Sequence, residues 1–467
     1  DEVEWRQMRA VDGVQPSQVV VQGSPSGEPL VATIEPGGSL QFSYADGRPG
    51  SIRMPAYGPG IANLKGFYHV ADGDYVLLVQ ADRIDSERAL LDLVWVTLLD
   101  EDGPDRTAAL SPDPTSFEGF VVKSHAVMDG QLIMAGTYPA EGDPPPPLEP
   151  PIREPILVEL PLAEVWARAR DAVRLRLSLS SPQRGLCKLS GNDVEIPRTN
   201  YTYLDVDAFR FHPTEIALSV LSRGEGLMGG VAAVGFDFST YLDANPGQGE
   251  VVADWASTIH LFPFTSESSC ELSPVNLDTN LAGGAFAPVS VTGLSVALTA
   301  GDQPKLGVSA TYSGLRNGED ARPRLFQAAY LVDDDFQNGA VQWHATGVFE
   351  APEITSMSLF NTGEAIHMLF QDKSNPLSRA VKYIPFKRWR RMAQLKQRTT
   401  VLATTADPIS ALGIGKASNV SNPVIAYRTG GDSLPAELNV IDGAGCDTQL
   451  LDLGDGRAAA VMPERAE

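Results

Sequence analysis

The residues able to do chemistry are present but scattered. The six histidines, His69, His125, His212, His260, His344 and His367, include no local pair of the His-x-x-x-His kind. The chain has no Gly-x-Ser-x-Gly elbow, no phosphate-binding loop and no Gly-rich turn of the dinucleotide type, so no motif singles out a catalytic residue. Three cysteines at wide spacing match no zinc pattern. Cys187 and Cys270 lie in polar segments; a single disulfide in an oxidising compartment would join them, and two free thiols are the alternative. A hard cation wants several oxygens from one loop. Asp100, Asp102 and Asp105 form one such cluster, and Asp333 and Asp335 with Asp334 and Asn338 form another. Calcium is therefore the one ion these residues suggest, although neither cluster has the full spacing of a calcium loop; no other cofactor is expected. Glycoside chemistry needs only two carboxylates at a suitable separation, and a chain with 59 Asp and Glu residues offers too many to select a pair.

Two further segments carry side chains suited to binding. Residues 241–288 read as a long insertion containing Trp255, His260, Phe262 and Phe264, and long loops in a folded domain tend to be functional. Between Lys382 and Arg398 the chain turns basic, with Lys387, Arg388, Arg390 and Arg391 around Trp389, in a protein whose net charge is -23. That stretch suits phosphates, anionic lipid headgroups or an acidic partner. The acidity of the whole argues against nucleic acid as a partner, since the average surface would repel a phosphate backbone.

The elements that must carry these residues repeat. An alternating strand, a tight polar turn, an apolar strand ending in small residues, a loop and another apolar strand recur along the chain. The clearest copy runs from Phe67 through the turn Ala71 to Asp74, the strand Tyr75 to Ala81 and the run Leu90 to Leu99. With the first apolar residue of the middle strand as a marker, the copies fall at Leu30, Val76, Leu132, Ile216, Leu306, Ile366 and Val424, most widely spaced around the fourth. In the fourth copy, His212 to Glu215 reads as the tight turn. The 43 glycines and 35 prolines agree with many turns and few helices.

This pattern resembles the β-propellers, without the repeat motifs of any one propeller family. A twisted sheet cannot bury both its faces alone, and radial stacking supplies each face with a neighbour. The resemblance implies an all-β, seven-bladed β-propeller spanning residues 1–467 as one domain, with loop insertions around the fourth blade at 139–155, 161–200 and 241–288. A strand from near one terminus is expected to complete a blade begun at the other. Two β-sandwich domains are the alternative. Pro144 to Pro147 belong to an extended surface loop, and Leu162 to Val173 form the best helix candidate, with Leu162, Val165, Trp166 and Ala169 on one side.

No stretch reaches the roughly 18 apolar residues of a membrane span, since even Leu90 to Leu99 contains Asp92. The chain begins at Asp1 rather than Met, which suggests a processed protein, exported to the periplasm or cell surface, with a lipoprotein leader as one form of the removed segment. The function expected from the sequence is a non-catalytic binding or assembly subunit, with a protein partner or further copies of itself in the cell envelope. The alternatives are a carbohydrate-active enzyme, of glycoside hydrolase or lyase type, using carboxylates over the axis, and a structural subunit of a surface layer or filament.

Overall fold

The computed structural model describes residues 18–23, 29–34, 40–44, 49–50, 62–71, 74–82, 89–98, 108–110, 115–128, 130–139, 153–171, 176–179, 193–196, 201–203, 211–222, 228–241, 253–265, 275–277, 286–299, 306–316, 324–332, 343–350, 354–361, 366–375, 377–385, 400–405, 409–415, 424–429 and 437–442, and these fold almost wholly into β-sheet. Alternation of β-branched and aromatic residues with short polar turns yields antiparallel meanders, each strand pairing with the next. Among the described residues, seven sheets follow in chain order, starting respectively with Gln18–Gly23, Ala62–Ala71, Val121–Met128, Phe211–Ser222, Phe286–Leu298, Ile354–Asn361 and Ile409–Gly415. The first strand of each sheet packs against the first strand of the next, from the first sheet through to the seventh. These leading strands therefore surround a common axis, and the later strands of each sheet lie progressively further out. This is the β-propeller architecture.

A leading strand has a partner on only one side, so its other backbone edge must be satisfied from elsewhere. At three consecutive junctions a serine hydroxyl of one leading strand accepts the amide N–H of the next. Ser124 Oγ takes Leu218 N at 3.1 Å, Ser219 Oγ takes Leu298 N at 3.2 Å, and Ser295 Oγ takes Leu359 N at 2.9 Å. Apolar stacking works beside these bonds: Gly307 of the fifth sheet leaves room for Ile366 of the sixth, whose Cδ1 would lie 3.1 Å from a Cβ placed there.

The leading strands also share a defect. Pairing with the second strand skips Lys65 and Val70 in the second sheet, Lys123 in the third, Thr214 in the fourth, Val289 and Thr292 in the fifth, Ser356 and Met357 in the sixth, and Ser410 in the seventh, while the described pairing of the first sheet is regular. These are β-bulges, and all but the one at Val70 lie in the first part or the middle of the strand. In the fourth and fifth sheets a proline, Pro213 or Pro288, stands just before the skipped residue, at a place where a strand tolerates a missing N–H. The threonine hydroxyls turn back to the partner strand, Thr214 Oγ1 donating to Gly235 O at 3.2 Å and Thr292 Oγ1 to Thr311 O at 3.3 Å.

The fourth sheet corrects the sequence reading. His212 to Glu215 is no turn: it lies within the leading strand Phe211–Ser222, and the bulge absorbs the proline that looked like a breaker. Ile216 consequently belongs to the first strand and not to the second. The second strand is Met228–Tyr241, and the supposed loop 241–288 supplies the third and fourth strands, Ala253–Thr265 and Val275–Leu277.

The helix Leu162–Asp171 forms where its apolar face was expected. Leu162, Val165, Trp166 and Ala169 are buried with residues of the second and third sheets. Trp166 stacks on Trp95 at 5.0 Å and donates its indole N–H to Asp74 Oδ2 at 2.5 Å, and Thr97 Oγ1 gives the same carboxylate a second bond at 2.6 Å. After the helix the chain crosses to the neighbouring sheet, where Arg176–Leu179 pairs in parallel with Thr115–Glu118 and Asp193–Ile196 pairs in parallel outside it. It then returns as Tyr201–Tyr203 to complete the third sheet. One insertion thus widens the second blade and ties it to the third.

Two expectations follow. Ser219→Ala removes the acceptor of the Leu298 amide, which should lower the unfolding free energy by about 1–2 kcal/mol, and an unchanged urea midpoint would contradict the inter-sheet role of the hydroxyl. His260 packs between Phe236 and Phe262, and desolvation lowers its pKa from 6.5 to about 4. The unfolded chain then binds the proton more readily, so stability is full above pH 6.5 and falls as pH drops toward about 4. His260→Phe should flatten part of that dependence in melting curves taken across this range.

Candidate functional site

The bulges decide which side chains reach the axis. In the second and third sheets the skipped residue is a lysine, and both Lys65 and Lys123 are exposed although they lie on the innermost strands. A bulge re-aims its extra residue, and here both extra residues remain solvated. On the next leading strand Glu215, directly after the bulge at Thr214, is half-buried. Desolvation raises its carboxyl above the ordinary carboxylate range, against the charges of Lys123 and Lys65, which favour ionisation. Three successive leading strands thus carry two lysines and a carboxyl on which both lysine charges act.

Beside them stands a histidine–tyrosine couple. Nε2 of His125 lies 3.0 Å from the carbonyl oxygen of Lys65, which can only accept, so this nitrogen carries the proton. Nδ1 is therefore the acceptor, and the Tyr68 hydroxyl donates to it. The rings meet edge to face at 5.6 Å and 84°. Burial lowers the His125 pKa to about 4; the bond to the Lys65 carbonyl opposes this and the Lys65 charge adds to it. Burial also pushes the Tyr68 hydroxyl well above its ordinary value. At neutral pH the couple is uncharged, with one tautomer selected. Gly66 makes the arrangement fit, because a Cβ there would lie 2.6 Å from Cε1 of His125 and 3.1 Å from Cε2 of Tyr68.

The surrounding backbone is clamped. Buried Gln80 donates to Leu90 O and to Phe120 O, both at 3.1 Å, and accepts from Val122 N at 2.9 Å, so one amide ties the second sheet to the start of the third leading strand. Arg153 donates to Thr137 Oγ1 and Thr137 O, each at 2.9 Å, and to Gly119 O at 2.5 Å. Gly119, at φ 85°, occupies the left-handed region that suits glycine, and its N–H bonds Ala89 O at 2.7 Å. Lys123 and His125 therefore project from a fixed strand.

The residues chosen from sequence lie elsewhere. His260, Phe262 and Phe264 are buried side chains of the third strand of the fourth sheet, and Trp255 belongs to the same strand, so the expected binding loop is a core strand. Lys387, Arg388, Trp389, Arg390 and Arg391, the acidic clusters of Asp100, Asp102 and Asp105 and of Asp333 and Asp335, and Cys187 and Cys270 all lie outside the described residues. Lys382, at the edge of the basic stretch, pairs with Asp372 at 2.6 Å. His69 and His125 occupy neighbouring leading strands, while His367 is in the second strand of the sixth sheet. Among the described residues no group of three or more His, Cys, Asp or Glu is placed to hold a metal ion, and no helix is long and apolar enough to cross a membrane.

Gly66→Ala tests the couple. The new methyl should displace His125 from Tyr68 and from the Lys65 carbonyl, moving the imidazole pKa from about 4 back toward 6.5 in an NMR titration. An unmoved titration would contradict the close fit at Gly66.

No family model matches the chain, and no curated protein sequence matches it. Solved structures that resemble it include the Penicillium chrysogenum alpha-L-arabinanase complexed with arabinobiose, at 11% identity and TM-score 0.38, over 83% of this chain and 100% of that one. SapL1 lectin in complex with alpha methyl fucoside aligns at 9% identity and TM-score 0.35, over 85% and 99% of the two chains. Trypanosoma rangeli sialidase in complex with sialic acid aligns at 9% identity and TM-score 0.34, over 74% of this chain and 49% of that one, so the match spans about half of the sialidase. All three are β-propeller folds, and the likeness concerns that architecture. The expectation of a non-catalytic binding or assembly subunit is corrected by this comparison, in which a sialidase and an arabinanase stand among the propellers of similar build; that expectation is withdrawn.

Proposed function

We propose that the protein is a seven-bladed propeller, closed by its first and seventh sheets, that cleaves a glycosidic bond at the axial end lined by Lys65, Lys123 and Glu215. The observation that carries this reading is the placement of Glu215. It is a half-buried carboxyl on an innermost strand, kept in its protonated form to higher pH by desolvation, with two lysine charges acting on it. A carboxyl that keeps its proton to higher pH than an ordinary glutamate suits departure of a sugar oxygen. Glu215 gives its proton to the leaving oxygen as the glycosidic bond breaks, and the oxygen of a water molecule bonds to the anomeric carbon, losing a proton that restores the acid. The uncharged His125–Tyr68 couple offers a proton acceptor already bonded to a hydroxyl, so that a proton taken up near Tyr68 can pass to Nδ1. A location outside the cytoplasm, in the periplasm or at the cell surface, is part of this proposal.

The test is a reducing-end assay of the purified chain on a panel of plant, bacterial and animal glycans. Glu215→Gln should lower kcat by about 100-fold or more on whichever glycan is cleaved. Because the acid must carry its proton, activity should fall as pH rises through the raised Glu215 pKa, and this alkaline limb should be absent from any residual activity of the variant. No cleavage of any glycan, or an equally active Glu215→Gln, would overturn the reading.

A further inference from the structure

The third leading strand, Val121–Met128, reaches its two neighbours through consecutive residues. Ser124 turns to the fourth sheet and accepts the amide of Leu218, whereas His125 turns to the second and bonds Tyr68 and the Lys65 carbonyl. The junctions bridged by Ser124, Ser219 and Ser295 depend on a hydroxyl, which keeps the same hydrogen through the whole acid and neutral range. An imidazole does not. Its Nδ1 accepts only while unprotonated, and the Tyr68 hydrogen already lies between the two atoms. A second hydrogen on Nδ1 would meet it head-on. The ring has little room to shift toward the second sheet, since even a Cβ at Gly66 would lie 2.6 Å from its Cε1.

We infer that the seam between the second and third blades is an acid-released latch: a proton taken up at Nδ1 of His125 separates the ring from Tyr68 and Lys65 and lets the two leading strands part, while the serine-bridged seams stay closed. Such a latch is independent of the reaction at Glu215. Among the described side chains, the charged and titratable groups on the strands packed at this point are Lys65, Tyr68 and His69 of the second leading strand, Lys123 of the third and Glu215 of the fourth. Asp92 of the second sheet accepts from Ser116 Oγ at 2.7 Å. Burial of the ring and the Lys65 charge work against a proton, the Lys65 carbonyl works for one, and burial prevails, lowering the imidazole from 6.5 to about 4. Once the strands part, the ring meets water and holds its proton at the ordinary value. Proton uptake therefore favours opening, so the closed seam has its full stability above pH 6.5 and loses it as pH falls toward about 4.

Four amides report the seams one by one. The Val122 N–H crosses this junction to Gln80 Oε1 at 2.9 Å, and those of Leu218, Leu298 and Leu359 donate to the bridging serines. The experiment is amide-resolved hydrogen exchange of the full chain by NMR, from about pH 7.5 to about pH 5, with each rate divided by the intrinsic rate at that pH. Opening at Val122 should be level above pH 6.5 and rise by up to about tenfold per pH unit below it, as uptake of one proton requires. Leu359 should stay level; it lies two sheets from His260, which also titrates, and so is the reference. His125→Gln keeps an N–H for the Lys65 carbonyl without a titratable ring, and should flatten the rise at Val122. Level exchange at Val122 in the parent chain, a parallel rise at Val122 and Leu359, or a rise that survives in His125→Gln would overturn the inference. The contrast between Val122 and Leu359 in the parent decides the matter even if the variant does not fold.

Discussion

A strand at the inner edge of a blade has half of its backbone hydrogen-bonding groups turned away from its own sheet, and the ring exists only if those groups are satisfied. The serine-to-amide bonds from Ser124, Ser219 and Ser295 do this without pairing the leading strands into one continuous sheet, which would flatten the blades into each other. A side-chain acceptor lets neighbouring strands approach at an angle, and each sheet keeps its own twist. Between the second and third sheets the task passes to larger side chains. His125 spans to the Lys65 carbonyl, and Gln80 reaches two backbone groups across the junction, Phe120 O and Val122 N. This junction, bridged by larger side chains, also carries the His125–Tyr68 couple.

The bulges follow from the same geometry. Strands that pack side by side at the inner edges of twisted sheets must twist strongly, and extra residues in the second to seventh leading strands supply that twist. Their side chains are then free of the alternation that sends their neighbours into the packed faces between blades. Threonine caps the partner strand through its hydroxyl, whereas the lysines keep a solvated position and add charge there. The helix Leu162–Asp171 and the strands that follow it brace this region from outside, joining the second and third blades through the Trp166–Asp74 bond and the stacked tryptophans.

Much of the architecture is legible in the chain because period-2 alternation and turn residues are local signals. The strands Tyr75 to Ala81, Leu132 to Tyr138 and Leu306 to Tyr312 announce themselves as apolar runs after polar turns, and the helix is visible in the spacing of Leu162, Val165, Trp166 and Ala169. The fourth copy misleads for a local reason as well. His212-Pro213-Thr214-Glu215 has the composition of a turn, and only the pairing of Pro213 with Phe236 and of Glu215 with Gly235 shows that the strand runs through it. Shifting that one assignment turned two core strands into an apparent loop and placed a binding role on His260, Phe262 and Phe264, whose apolar surroundings make them core residues.

By itself the sequence determined the fold class, the repeat and the helix, because hydrophobic periodicity acts over a few residues and survives divergence of everything else. Only the tertiary structure decided the site. Lys65, Lys123, His125 and Glu215 lie in three different repeats, with no spacing that links them, and each occurs among many residues of the same type. What unites them is the register of the leading strands. The bulge places each lysine, the order of blades makes them neighbours, and burial at the junction turns a glutamate, a histidine and a tyrosine from ordinary side chains into groups with shifted protonation. Proximity around a closed axis and the loss of solvent there are properties of the folded chain, and neither leaves a mark in a linear pattern.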